Sequence, residues 1–483
     1  MVMQASKLIL PHSSLSSPRI SSVLFEPHSL SLALMHSDSS FSLYPFLSPL
    51  SLPPLPPLPI FIPPPSSSAS FLLLRSQNPN SITNPCAVFI AAGPHDGGAA
   101  VLLRFWVLRK PQVFAKARVL CSQKEIRFHD KLGVVVNVSH GISVKLAGSV
   151  NYFAMYSVSK SKIWVFAVKM AGDDDDGGVV LRMMKCAVIE CTVPVCSISI
   201  SFGFLILGEA NGVRVLPLRS LVKGRVSKQR RENKTLKPDA ENVKHGETLR
   251  LPNGLIRANG EGHDPLSSLG VDSSCADGGE RICVGGKTKT SFNGYLEGNV
   301  DVHSVSVNLR SVKLGQDLGQ GSAYFVAIKS KEDRSSKSTS VRFSARAISI
   351  QALSANKFLI LDSVGDLHLL CLSNLNFGSE IMCQLRQLPH IMKVRKLVVL
   401  SDSSARTQTF WISDGSHSVH MMALSDMDSS VDENDRSDNE AKLKQISAIQ
   451  ALFTSEKIQD IVPLATNAIL ILGQGDLFVY AIS

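Results

Sequence analysis

One short pattern recurs along the chain and limits what it can fold into. Four to six apolar residues are followed by a turn rich in Gly, Ser, Asp or Asn, then by a second apolar run. The clearest copies are "FLILGEANGVRVLPLRS" (204–220), "FLILDSVGDLHLLCLS" (358–373) and "AILILGQGDLFVYAIS" (468–483). Two more are "FAMYSVSKSKIWVFAV" (153–168) and "TFWISDGSHSVHMMALS" (409–425), with looser ones at 32–48 and 88–108. This is the grammar of a β-hairpin. Both faces of each arm are apolar, as in strands covered on both sides. Gly212, Gly365 and Gly475 sit in the turns, where a positive φ is expected.

The copies start at 32, 88, 153, 204, 358, 409 and 468, spaced by 51 to 65 residues except for one gap of 154. Further apolar segments lie between them, such as "EIMCQLRQLP" (380–389) and "IMKVRKLVVL" (391–400). Each unit therefore reads as an inner strand, a middle hairpin and an outer strand. A period of this kind with four strands per unit is the sign of a β-propeller. The chain resembles a diverged WD-repeat-like β-propeller. "KIWVFAV" and "DLFVYAI" stand where that family has its third strand, but no copy carries the Trp-Asp dipeptide. The resemblance implies an all-β fold of seven four-stranded blades.

Both termini fit that scheme. The chain ends on an apolar strand, "DLFVYAIS", whose unit lacks an outer strand, and "ASKLILP" (5–11) is an unassigned apolar segment at the other end. Lys7 to Leu10 is expected to pair beside Phe478 to Ile482 and seal the ring, removing an open sheet edge. The Ser-rich, acid-poor N-terminus also has the composition of a transit peptide. The hairpin grammar of 23–48 argues instead for a first blade. The proline-rich stretch 53–65 is then an edge strand or loop, because proline cannot donate to a central ladder.

The 154-residue gap holds a shift in composition. Residues 222–299 are polar, charged and rich in Gly and Asn, with too little apolar material to pack. The expected organisation is blades 1–4 in 1–221, a disordered insertion at 222–299, and the remaining strands and blades 5–7 in 300–483. Strands resuming near 300–314, 323–330 and 340–353 would complete neighbouring blades, or hold a degenerate eighth.

The insertion carries a basic run: Lys223, Arg225, Lys228, Arg230, Arg231, Lys234 and Lys237. Such a run is a candidate nuclear-import signal or phosphate contact, though no aromatic residue is interleaved for base stacking. Near the end, Ser429, Ser430 and Ser437 each precede an acidic residue by three positions, which makes them candidate phosphorylation sites. The acidic run Asp173–Asp176 lacks the ligand spacing of a calcium loop. "GQDLGQGS" (315–322) fits neither dinucleotide nor Walker spacing, and no HExxH or GxSxG occurs. His36, His95, His368, His417 and His420 fall in or beside hairpins, where packed or turn-tip histidines are expected.

Net charge is +10, from 50 Lys plus Arg against 40 Asp plus Glu, which defines no nucleic-acid face by itself. Nine cysteines (86, 121, 186, 191, 196, 275, 283, 371, 383) form no CxxC pair and read as reduced thiols. No segment reads as a transmembrane helix. The reading is a non-enzymatic scaffold for protein partners, monomeric within a complex, nuclear or cytoplasmic, with no cofactor. The rivals are a nucleic-acid-associated factor and an enzyme with a channel-mouth site built from residues distant in sequence.

Overall fold

A computed structural model describes residues 3–8, 18–47, 58–75, 85–110, 112–121, 123, 126–129, 133–138, 143–173, 178–222, 310–314, 323–328, 345–373, 381–389, 392–400, 407–425 and 446–482. Most of these residues are β-strand. The helices among them are α1 (Leu218–Val222) and a three-residue 3-10 turn at Asp96–Gly98.

The first strand, β1 (Met3–Leu8), belongs to the last sheet. The next four, β2 (Ile20–Glu26), β3 (Ser31–His36), β4 (Phe41–Tyr44) and β5 (Ile60–Ile62), form an antiparallel meander in chain order. The short β5 is an edge strand flanked by prolines, where the missing N–H groups cost no ladder bond.

Two further meanders follow. One is β6 (Ser68–Leu74), β7 (Cys86–His95), β8 (Ala100–Arg109) and β9 (Val113–Leu120), with the hairpin β10 (Ile126–His129) and β11 (Gly133–Val136) attached to β8. The other is β12 (Val144–Gly148), β13 (Tyr152–Ser157), β14 (Lys162–Asp173) and β15 (Val179–Cys191). They are not separate. β9 pairs in parallel with β15, Ala117 to Leu120 against Val179 to Arg182. At the opposite edges Leu73 of β6 bridges Val150, with Asn151 N donating to Leu73 O at 2.8 Å. Together they make a nearly closed barrel filled by Leu72, Ile90, Phe105, Val119, Phe153, Phe166 and Leu181.

The remaining sheets are four-stranded. β16 (Ser197–Ser201), β17 (Phe204–Glu209) and β18 (Gly212–Pro217) are completed by β20 (Tyr324–Ala327). The preceding strand, β19 (Arg310–Leu314), pairs in parallel with β15 and joins the barrel sheet, giving it eleven strands. Then come β21 (Ala347–Ser354), β22 (Lys357–Asp362), β23 (Leu367–Ser373) and β24 (Met382–Leu388). Next are β25 (Lys396–Val399), β26 (Thr407–Ser413), β27 (Ser418–Ser425) and β28 (Ile446–Phe453). The last sheet is β29 (Asp460–Ala465), β30 (Ala468–Leu472) and β31 (Leu477–Ile482), with β1 on its outer edge.

Every one of the seven repeated segments forms an antiparallel pair. The arrangement is all-β and propeller-like, with two corrections to the expectation of seven separate four-stranded blades. Five sheets are four-stranded, and the sixth is the eleven-stranded barrel sheet. Its origin is strand length: β14 and β15 run 12 and 13 residues, far enough outward for β15 to meet β9. The second correction concerns turns. Gly365 has φ +93, whereas Gly212 and Gly475 are not in the left-handed region. Gly212 is small for another reason: a Cβ there would lie 2.2 Å from Val326 O.

Apolar clusters lie between successive sheets. Phe41, Leu43 and Ile62 meet Phe89, Trp106 and Phe114, and Phe358 and Leu370 meet Ile206 and Val215. Leu470 and Val479 of the last sheet meet Val23, Leu32 and Leu34 of the first. Burying each such side chain contributes about 1.5–3 kcal/mol. Both faces of the hairpin arms are covered, which explains their unbroken apolar runs. β1 and β31 pair from Met3 against Ile482 to Leu8 against Leu477, so Lys7 faces Phe478. The pairing starts at Met3 rather than Lys7, and residues 9 and 10 lie outside the described residues.

Candidate functional site

The strands that open each meander, β2, β6, β12, β16, β21, β25 and β29, touch one another in turn, and β29 touches β2. Their backbones approach closely. A Cβ on Gly148 of β12 would lie 2.0 Å from Phe71 O of β6, so only glycine fits. Inner-strand polar groups left without a ladder partner need one across the gap. Serines supply many. Ser68 Oγ and Ser70 Oγ accept from Leu146 N and Gly148 N at 3.0 and 2.8 Å. Ser197 Oγ donates to Ala347 O at 2.7 Å, and Lys145 Nζ to Cys196 O at 2.5 Å. At the seam, Asp460 takes Lys396 Nζ at 3.2 Å, Ser22 Oγ at 3.2 Å and Val23 N at 3.3 Å. One carboxylate thus links β25, β29 and β2.

The hairpin turns carry a second set of polar contacts. The buried Asp362 ends β22 and accepts from Val364 N and Asp366 N, both at 2.9 Å, and from His368 Nε2 at 3.0 Å. Burial alone would raise its pKa. The bonds from His368, Asp366 and Val364 outweigh that and hold it below the ordinary carboxylate value. In the same place one meander earlier, Glu209 and Arg214 form a buried bidentate pair at 2.6 and 3.1 Å. The Arg214 guanidinium lies 5.1 Å from the Phe325 ring. In the first meander His36 Nε2 and Ser42 Oγ are 2.8 Å apart. All three pairs join the end of one hairpin arm to the start of the next, and they fix turns rather than expose reactive groups.

Around these turns runs a rim of loops with a marked charge pattern. Lys393 Nζ reaches Asp366 at 3.0 Å, and Lys7 Nζ reaches Asp476 at 2.5 Å. Asp414 faces its own turn, accepting backbone N–H from Ser416 at 2.8 Å, whereas Glu456, ahead of β29, reaches the turn between β30 and β31 and accepts from Gln474 N at 2.9 Å. The exposed cations with no side-chain hydrogen bond or ion pair among the described residues include Arg19, Arg346, Arg395 and Lys457. Arg19, Arg346 and Arg395 each directly precede an inner strand, and Lys457 comes three residues before β29.

Elsewhere the polar chemistry is subdued. Arg104 of β8 is buried and donates to Pro63 O, Pro65 O and Ser66 Oγ, while its Nε has no partner. Burial lowers its pKa and that of Lys116, where the Arg104 charge adds to the effect. Burial pushes the thiols of Cys186 and Cys191 up to about 12 and that of Cys383 to about 11. Among the described residues, no group of three or more His, Cys, Asp or Glu is placed to hold a metal, and no helix is long and apolar enough to cross a membrane.

Of the residues singled out from sequence, Lys223, Arg225, Lys228, Arg230, Arg231, Lys234, Lys237, Ser429, Ser430 and Ser437 all lie outside the described residues. So do the side chains of Asp173–Asp176 and most of 222–299 and 315–322. His368 is packed against Asp362. His95 is 3.3 Å from Asp96, and His417 Nδ1 is 3.2 Å from Thr454 O. The sequence reading passed over the rim cations. Their signal was an Arg immediately before the inner strand in three of the meanders.

No family model matches the chain, and no curated protein matches it. Solved structures do. The β-propeller domain of Myceliophteria thermophila Cps50 (Swd1) is 8% identical, with 100% of each chain covered and a TM-score of 0.42. The RRP9 WD40 repeats are 7% identical over 99% of this chain and 97% of that one, TM-score 0.41. U3-55K is 7% identical over 99% and 98%, TM-score 0.39. The propeller-like arrangement described here rests on strand order and register, independently of these likenesses.

Proposed function

We propose that the chain is a non-enzymatic β-propeller scaffold that holds protein partners on its loop rim, as a monomer within a larger complex. The observation that carries this reading is the set of exposed, unengaged cations at Arg19, Arg346, Arg395 and Lys457, set among turns fixed from below by buried polar pairs. A rigid frame presenting charged loops suits recognition rather than turnover. Seven units are proposed, with the barrel sheet counted as two. What supports this is that β6–β9 and β12–β15 are each four-stranded meanders, and that β6 and β12 stand in the sequence of inner strands. The test is cross-linking mass spectrometry on the full chain isolated from cells. Reproducible cross-links from partner proteins to the rim loops are expected. A chain that comes out alone, with no such cross-links, contradicts the reading.

The run Lys223–Lys237 is proposed as a nuclear-import signal within an insertion at 222–299, and Ser429, Ser430 and Ser437 as phosphorylation sites. A tagged chain that stays cytosolic sinks the import reading. Phosphopeptide mapping without these serines sinks the other.

A further inference from the structure

We infer that the rim formed by Arg346, Arg395, Lys457 and Arg19 binds an acidic, extended segment of a partner protein; this rests on the scaffold reading above. The four cations lie on one side because the inner strands they precede start on one side. Asp460, the first residue of β29, contacts Lys396, the first residue of β25, and also Ser22 and Val23 near the start of β2. Arg346 O accepts from Ser363 N in the same turn whose Gly365 O accepts from Val394 N, so the entries to β21 and β25 also adjoin. Arg395 lies over Gly415, where a Cβ would come within 2.9 Å of its own Cβ. Reading around the rim, Arg346 is followed by the Asp366–Lys393 pair, Arg395, the Lys396–Asp460 pair, Lys457 and Arg19.

Cations held at an exposed surface without carboxylate partners produce a positive potential that steers and orients an acidic ligand. The pattern favours a peptide over nucleic acid. Asp366, Asp460 and Asp476 alternate with the cations, and a continuous phosphate backbone laid along the rim would meet all three. None of the named rim residues is aromatic, so no base would stack on them. A peptide can place its carboxylates at intervals and present an apolar residue between them. Val364, half exposed in the turn beside Lys393, is the apolar surface available for it.

The probe is a short fluorescein-labelled peptide of alternating Glu and Leu, titrated with the full chain and followed by anisotropy. Binding is expected to weaken several-fold as salt rises. Combining Arg346→Glu, Arg395→Glu and Lys457→Glu should weaken it by at least about tenfold, while Arg386→Glu on exposed β24 should leave it unchanged. Thermal melts establish that each variant is folded, and the single substitutions replace the combination if it is not. Absence of peptide binding, or equal loss from Arg386→Glu, overturns the inference. Tighter binding of a single-stranded RNA oligonucleotide that is lost with the same three substitutions also overturns it, in favour of nucleic acid. Repeating the partner cross-linking with the variant separates the two levels. Unchanged rim cross-links overturn the acidic-segment inference and leave the scaffold standing, whereas no cross-links even from the unaltered chain remove the scaffold itself.

Discussion

Lys396 and Asp460 open two neighbouring inner strands, and their side chains meet at 3.2 Å. The second carboxylate oxygen of Asp460 faces the first meander, taking Ser22 Oγ and Val23 N. Replacing Asp460 with Ala removes the partner of groups on both neighbouring sheets at once. A loss of about 1–3 kcal/mol is expected, since a partly buried donor is left unsatisfied. Lys396→Ala should cost less, because its ammonium is accessible to water. Chemical denaturation of both variants checks the order.

Asp362 gives the fold a dependence on acid. Its folded pKa is held below the ordinary value, and a depressed carboxylate adds stability that is present above its unfolded pKa of about 3.9. That stability is lost as pH falls through the lower folded pKa. Asp38 and Asp414 are depressed too, Asp38 first by its bond from the Ser40 hydroxyl. For Asp414 the backbone bonds from Ser416 and Ser418 outweigh burial. Asp362→Asn should therefore be less stable at neutral pH yet show a shallower decline below about pH 4. Melting temperature against pH, measured for both forms, tests this.

The Glu209–Arg214 pair is desolvated, with both side chains less than a tenth exposed. Glu209→Ala leaves a buried guanidinium without its counter-charge, and a loss of about 3–5 kcal/mol is expected. The double replacement Glu209→Leu with Arg214→Met should recover much of that loss. A double-mutant cycle by urea denaturation measures the coupling.

Cys186 and Cys191 are raised to about 12 by burial, so almost no thiolate is present near neutral pH. Iodoacetamide should leave both unmodified in the native protein and alkylate them in urea. Peptide mass spectrometry reads the difference directly.

The hairpins were legible in the sequence because each needs only an apolar run, a turn and a second apolar run, all local. The edge position of β5 was legible from its prolines. The parallel contacts of β15 with β9 and β19 were not, because they depend on how far long strands overhang and leave no mark in any one segment. "GEANGVRV" read as a turn between two arms. That its Glu and Arg close on each other inside the sheet follows from a register of Glu209 against Gly212, which places Arg214 two pairs inward and so on the same face as Glu209. The rim cations were hidden for a different reason. Arg19, Arg346 and Arg395 are ordinary residues until the inner strands they precede stand side by side.

The pairing of Met3–Leu8 with Leu477–Ile482 joins the two ends of the described chain in one sheet. Hydrogen exchange across 477–482, measured with and without residues 1–8, tests it most directly. With β1 present these amides should be protected. Its deletion should expose those facing β1 while β30 continues to cover the others, and the melting temperature should fall. Protection of 477–482 that is unchanged by the deletion would contradict the account.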